Sequence, residues 1–369
     1  MIKRLLLLNG FAVLGVILFH SSGMGFVAMF AWGGLHLPAG VSPADQVGSL
    51  PYYGLRLIEQ IIVFSIPAFL FVSGYFAAVS AGRDATTVSW KIIFARIRTL
   101  LIPYLLWSAV VILLYMLTGS KYSPFSILTK LLTGGANEIY YFVPLLIQFF
   151  LLAPLLIRIA RKYPVGLIIV CGLIQTGVQL LSYQPLFDMP PAFVSTAIRL
   201  LPKWLFLTKI FWFPLGMVAG LHATAFKRGI DRLRRWAIGA AIILVPLGML
   251  EWEVLYRRSG ELWLPHRETM TDNLFSLAIL VSILTWVRLP SRLAAPVESL
   301  GTKSFGIFLT HGIFIEYTAK VIYNFAPALL GYQLILQPVF IIAGLAGPLV
   351  IMSLVDRSQA RKAYAYLYG

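Results

Sequence analysis

The sequence predicts an all-α integral membrane helical bundle of about ten transmembrane helices, with both termini cytoplasmic. Three observations carry that expectation. The 369 residues are 59% apolar and only 12% charged, against roughly 45–50% and 25% in ordinary soluble domains. The mean hydropathy is +0.84, and a soluble globule of this composition has too little polar surface to cover itself. Ten apolar stretches approach the roughly 20 residues that a helix needs to cross the hydrocarbon core. Richness in Leu, Ile, Phe and Val excludes intrinsic disorder. The single cysteine, Cys171, excludes an internal disulfide and any cysteine-based zinc or iron–sulfur site.

The expected spans are residues 5–31, 54–80, 92–117, 138–157, 164–183, 204–226, 236–253, 272–289, 304–325 and 333–355. The fifth is diluted by Gln175 and Gln179. The first follows Lys3 and Arg4; its run from Leu5 to Phe19 is at the upper limit for a signal-peptide core and a histidine lies within the segment, so it is read as an uncleaved span. Outer loops fall at 34–53, 118–137, 184–203 and 254–271, rich in Pro, Gly, Ser and aromatics. The chain carries a net charge of +16. Its Lys and Arg residues punctuate the apolar runs, which points to the positive-inside rule rather than to nucleic acid. Twenty of the thirty fall on one side of the ten-span topology, among them Arg83, Arg288 and the cluster from Lys227 to Arg235. That side is the cytoplasm. No repeat or linker divides the chain, so residues 1–369 read as one integral-membrane domain, and the basic, aromatic tail from Asp356 is expected along the inner surface.

An ionisable side chain inside a span is expensive, which makes each one a candidate functional residue. In the first span, Asn9 and His20 lie eleven residues apart. That is about three turns, so they share a face roughly 16 Å apart. His20 either serves chemistry or hydrogen-bonds a neighbouring helix. The same alternatives hold for His311, which shares a face with Ser304, seven residues earlier. Arg56 and Glu59 are spaced to pair within one helix. Ser73-Gly74 reads as a packing notch, because nothing flanks Ser73 as a nucleophile elbow requires. Arg96 and Arg98 do not share a helical face. A short non-helical approach to the third span would aim both at one anion, either a lipid headgroup or a phosphate-bearing co-substrate. His36 and His266 fall in outer loops and His222 near an inner helix end. No two histidines have the spacing of helical metal ligands, so no metal is expected. Trp204, Trp212, Trp252 and Trp263 suit either sugar stacking or an interfacial belt.

Six segments, in order, resemble motifs of the acyltransferase-3 family of bacterial multi-span membrane O-acyltransferases. The first span ends in Phe19-His20, as that family's opening helix does. Phe64 to Tyr75 is similar to its second-helix motif, and Phe94 to Trp107 to its basic segment ending in Pro-Tyr. Tyr141 to Leu146 resembles its Trp-Phe-Leu helix, Phe213-Pro214-Leu215-Gly216 its Phe-x-x-Gly element, and Leu300 to His311 its late Ser–His helix. Where the family has an arginine eleven residues before the first histidine, this chain has Asn9.

The resemblance implies an enzyme that moves an acyl group, usually acetyl, from cytoplasmic acyl-CoA to a hydroxyl of an envelope polysaccharide sugar or its lipid-linked precursor, in the bacterial inner membrane. The partners are then acyl-CoA as co-substrate, a saccharide or glycolipid acceptor, and membrane lipids, without nucleic acid. His20 takes the role of general base, since an imidazole with a pKa of about 6.5 suits proton abstraction near neutrality. At about 22 Å from the cytoplasmic end of its helix, it is expected in the outer half of the bilayer. Asn9 becomes a polar contact along the acyl channel. Arg96 and Arg98 become phosphate ligands, and Ser73, Ser304 and His311 candidates for contacting the substrate or the oxyanion. A carrier or flippase for a lipid-linked saccharide would share the same sequence features without catalysis.

Overall fold

The computed structural model describes residues 2–82, 85–187, 191–259, 268–285 and 290–369. Arg83, Trp263, His266 and Arg288 lie outside the described residues. Among the described residues the chain is helical and contains no strand. In order, the helices are α1 (Ile2–Phe26), α2 (Leu50–Ile62), α3 (Ser65–Ser80), α4 (Trp90–Leu117), α5 (Pro124–Thr133), α6 (Phe142–Lys162), α7 (Pro164–Leu180), α8 (Gln184–Phe187), α9 (Pro191–Leu200), α10 (Trp212–Leu221), α11 (Ala223–Ser259), α12 (Met270–Thr285), α13 (Ser291–Thr302), α14 (Ser304–Phe325), α15 (Gln333–Arg357) and α16 (Tyr364–Tyr368).

Seven helical stretches are long and apolar enough to cross a membrane: Ile2–Ala31, Leu50–Ser80, Trp90–Leu117, Glu138–Lys162, Ala223–Ser259, Ser304–Phe325 and Gln333–Arg357. Three shorter apolar helices, α7, α10 and α12, fall where the other predicted spans lie. The protein is an all-α, multi-span membrane bundle. The second span is broken between α2 and α3. Pro67, in the first turn of α3, lacks an N–H to bond Val63, and the Ser65 hydroxyl donates to the Ile62 carbonyl (2.7 Å). Where an inner loop was expected around Lys227 to Arg235, the basic residues instead continue α11 as helix. Lys, Arg, Leu and Ala are good helix formers, and the single Gly229 among them does not stop the helix.

Glycine sets the closest helix crossings. The most extensive is α3 against α10. A Cβ at Gly216 would collide with the Phe71 carbonyl, and one at Gly74 with the Phe213 carbonyl. The Ser73-Gly74 notch and the Phe213–Gly216 element are therefore two halves of one contact. The short helix α13 crosses beneath α1 by the same device, with Gly10 against the Val297 carbonyl and Gly301 against that of Leu6. The tail folds onto the bundle. The Trp107 indole donates to the Leu367 carbonyl (2.8 Å), and Tyr368 is buried.

Two segments expected as plain outer loops fold inward instead. Tyr104 lies fourteen residues into α4, about 21 Å from its start. Its hydroxyl donates to the Leu131 carbonyl (2.6 Å), and its ring lies 6.0 Å from that of Tyr140. The chain thus turns back through α5 and the 3₁₀ turn Glu138–Tyr141 to the level of Tyr104. Residues 201–209 do the same. The Gln148 amide donates to the Trp204 carbonyl (2.7 Å) and accepts from the Phe206 N–H (3.3 Å), and Phe206 packs on Phe149 at 6.1 Å. The predicted span at 204–226 is consequently the ten-residue α10, which is short because it starts deep in the bundle. Non-helical backbone at such depth is tolerated where protein buries it or a wet cavity bathes it. Ile139 and Tyr140 are buried accordingly.

Candidate functional site

Three elements meet at His20. Helix α1 carries it, and α15 fixes that turn of α1. Gln337 donates to the Ser21 carbonyl (3.2 Å) and Gln333 to the Gly25 carbonyl (3.2 Å). Helix α14 brings His311 against it, with ring centroids 5.2 Å apart and planes inclined at 50°. The inward-folded turn Glu138–Tyr141 supports α14 from behind. There the Tyr140 hydroxyl donates to the Leu309 carbonyl (2.6 Å), and the Ile139 side chain packs at Gly312.

His311 is fully buried. Its Nδ1 faces the carbonyls of Phe308 (2.8 Å) and Ile307 (3.1 Å). Carbonyls only accept, so Nδ1 carries the proton and the neutral ring presents Nε2 as a lone pair. That Nε2 is buried and has no hydrogen-bond partner. His20 is half-buried, with Phe19 edge-on at 5.3 Å. Helix rise puts His311 only about 10 Å from the inner start of α14.

The other predicted site residues are not brought together there. The amide oxygen of Asn9 is buried without a partner. On the face that Asn9 shares with His20, Val13 and Val16 are packed at 0% and 4% exposure, so no open passage follows that face. Ser65 abuts Gly15. Ser73 lies eight residues beyond it, about 12 Å towards the cytoplasm, while His20 lies about 7 Å the other way. Ser73 is thus remote from the imidazoles, and the corrected reading of Ser73-Gly74 is packing alone. Ser304 is buried at the start of α14, two turns below His311.

Arg96 and Arg98 stand in continuous helix, since α4 begins at Trp90. No non-helical approach exists to aim them together, and two residues apart on a helix they diverge by about 200°. Both are exposed. Arg96 donates to the Ser80 hydroxyl (3.3 Å) and flanks the packed stripe of Ile93, Ile97, Leu100 and Tyr104. Arg98 lies on the side of exposed Leu105.

The expected intrahelical pair of Arg56 and Glu59 forms and is buried. The Arg56 guanidinium lies 3.3 Å over the Trp252 ring. Next to it, Gln60 donates to Asp272 (3.1 Å). Trp252 and Trp212 are buried, which removes both as sugar platforms, whereas Trp204 is half-buried.

Residues 3–357 match a family model described as an acyltransferase domain. No curated protein and no solved structure matches the chain.

Proposed function

This chain belongs to the membrane acyltransferase family, and from that premise we propose that it transfers an acyl group, acetyl in the first instance, from cytoplasmic acyl-CoA to a hydroxyl of an envelope saccharide or its lipid-linked precursor. The supporting observation is the imidazole pair: His20 against a neutral His311 whose Nε2 lone pair is buried and unshared.

In this reading His20 is the general base. It takes the proton from the acceptor hydroxyl as that oxygen attacks the thioester carbonyl. The tetrahedral intermediate collapses with cleavage of the C–S bond, and the imidazolium returns the proton to the departing thiolate. His311 is a positioning residue. Its Nε2, unshared in the resting pair, is the acceptor available to the N–H of His20 once the acceptor hydroxyl engages the other ring nitrogen, and it then steadies the imidazolium. With Nδ1 committed to carbonyls, neutral His311 has no proton left for an oxyanion, so it does not serve as the donor considered from sequence. Arg96, on the packed side of α4, is the better placed of the two arginines to hold the phosphates of acyl-CoA. The coenzyme then approaches from the cytoplasm and the saccharide from the opposite side, which fits a protein of the bacterial inner membrane.

The test uses the full chain in lipid nanodiscs, radiolabelled acetyl-CoA and an extract of lipid-linked saccharides. Base-labile label in the saccharide is expected. His20→Ala should reduce transfer by a factor of about 10² or more at unchanged yield of folded protein. Transfer undiminished in that variant would remove His20 as base. Movement of unlabelled saccharide across the bilayer without acylation would replace the enzyme by a carrier.

A further inference from the structure

A cavity of about 500 Å³ opens at the end of the bundle away from both termini, within the roughly 300–1,000 Å³ of small-molecule sites. It forms between two short connections: the turn Gly33–Leu35, which follows α1, and the turn Pro327–Gly331, which joins α14 to α15. Both are held in place. The Trp32 ring packs edge-on against Tyr323, near the end of α14, at 5.0 Å, and Leu330 is fully buried. Between α1 and the cavity the chain makes one wider turn, Val27–Ala31, closed by the Trp32 N–H on the Val27 carbonyl (3.0 Å). Such π-helical turns recur at functional sites.

That turn orients the polar side chains of the cavity. His36 Nε2 bonds the Ala28 carbonyl (3.0 Å), and the Gln46 amide donates to the Met29 carbonyl (2.6 Å). Carbonyls only accept, so Nε2 carries the proton and the neutral His36 ring presents Nδ1 as an acceptor. Gln46 likewise keeps its amide oxygen. A Cβ at Gly331 would stand 3.2 Å from that Nδ1, so glycine leaves the nitrogen open to the cavity. Leu35, Leu37 and the exposed ring of Tyr332 supply the apolar lining.

Among the described residues that line this cavity none is charged. A phosphate or an anionic headgroup calls for a cation, and a purely apolar guest would cover the two acceptors without giving them a donor. A guest with several hydroxyls and an apolar C–H face meets both demands. Its hydroxyls donate to Nδ1 and to the amide oxygen, and its C–H face covers Tyr332 and the leucines. That is the chemistry of a neutral sugar ring. Ala28 lies eight residues beyond His20, about 12 Å along the axis, so a ring held here is not the one whose hydroxyl meets His20. Helix α15 links the two levels rigidly: Tyr332 caps it, and its Gln333 and Gln337 hold the carbonyls of Gly25 and Ser21.

We propose that this cavity is a distal carbohydrate subsite, holding a neutral sugar unit of the acceptor while a hydroxyl on another unit is acylated at His20. Its part in acyl transfer rests on the reading above; its capacity to bind a sugar does not. Binding energy gained away from the reacting hydroxyl then positions the acceptor, and a single sugar is a poor substrate.

The experiment has a binding arm and a transfer arm, both on the full chain in nanodiscs. Saturation-transfer NMR compares cellobiose, maltose, lactose and glucose 1-phosphate as probes. At least one neutral disaccharide is expected to bind with a Kd of about 1 mM or tighter, and glucose 1-phosphate more weakly. Tyr332→Ala removes the exposed ring and Gly331→Leu fills the cavity, and each should weaken that binding about tenfold; Tyr332→Phe should keep it. No binding by any neutral probe, equally tight binding of glucose 1-phosphate, or binding that survives both Tyr332→Ala and Gly331→Leu overturns the proposal. In the transfer arm, those two variants should raise KM for the lipid-linked acceptor about tenfold, with KM for acetyl-CoA and kcat unchanged. An unchanged acceptor KM, or a fall in kcat alone, overturns the distal role. Sugar binding that depends on Tyr332, without any transfer by the unmodified protein, would sustain the subsite and sink the acyltransferase chemistry.

Discussion

The inner and outer halves of this bundle are built on different rules. On the inner side, helices run unbroken and cross at glycine: α3 against α10 and α1 against α13. Without a hydrophobic drive between helices in lipid, such close backbone approach supplies the dispersion contact that holds spans together. On the outer side the second span is broken before Ser65, and the segments 118–141 and 201–211 turn back into the bundle. Tyr104, Tyr140 and Gln148 hold those segments by hydrogen bonds to backbone carbonyls. The inner half is a rigid frame. The outer half gives up helical regularity, and one of its inward-folded turns packs behind the helix that carries His311.

The strongest way to break this contrast is to insert a side chain into the inner frame. Gly216→Leu drives carbons into the Phe71 carbonyl and should cost about 3 kcal/mol or more. The expected outcome is loss of the monodisperse peak in detergent chromatography. Gly23→Ala on α1, where nothing lies within 4 Å, should leave that peak intact; equal behaviour of the two would deny the frame its special role.

The histidine pair is probed next. His311→Gln should lower kcat by about 10–100-fold with an unchanged melting curve, because it alters the partner of the base and not the packing of α14. A drop in stability that matches the drop in rate would make His311 a purely structural contact.

A smaller effect is expected from Tyr140→Phe. It removes one buried hydrogen bond to Leu309, worth about 1 kcal/mol, and should lower the melting temperature by a few degrees. No change would mean that the inward fold of residues 134–141 is held by packing alone.

The smallest effect separates the two arginines. Arg96→Ala should raise the KM for acetyl-CoA severalfold, while Arg98→Ala, on the lipid-facing side of α4, should leave it unchanged. Equal shifts in both would require α4 to unwind at its start, contrary to its helical geometry here.

Much of the fold was legible before any coordinates. Apolar runs and the basic asymmetry located ten helices in order, and the motifs led to the family. The Ser-Gly and Phe-x-x-Gly segments were visible as motifs, but their being each other's packing partner was not, since helical spacing gives the face of a residue and not its neighbour. His20 and His311 were both singled out, each with a structural alternative. Arg96 and Arg98 looked like a phosphate clamp only while the start of α4 was free to be irregular. Ser73 lost its chemical candidacy through depth alone, a coordinate that a motif does not carry.

What the sequence determined by itself was membership of the lipid-embedded class and the order of the apolar helices. Those follow from a local quantity: hydropathy summed over some twenty residues. Only the tertiary structure decided which polar residues share a depth. Two imidazoles 291 positions apart in the chain become neighbours because α15 fixes one helix, an inward-folded turn supports the other, and a buried lone pair is left between them. Such pairings are set by packing and by the pairing of buried backbone groups across the whole bundle, and no window along the chain contains that information.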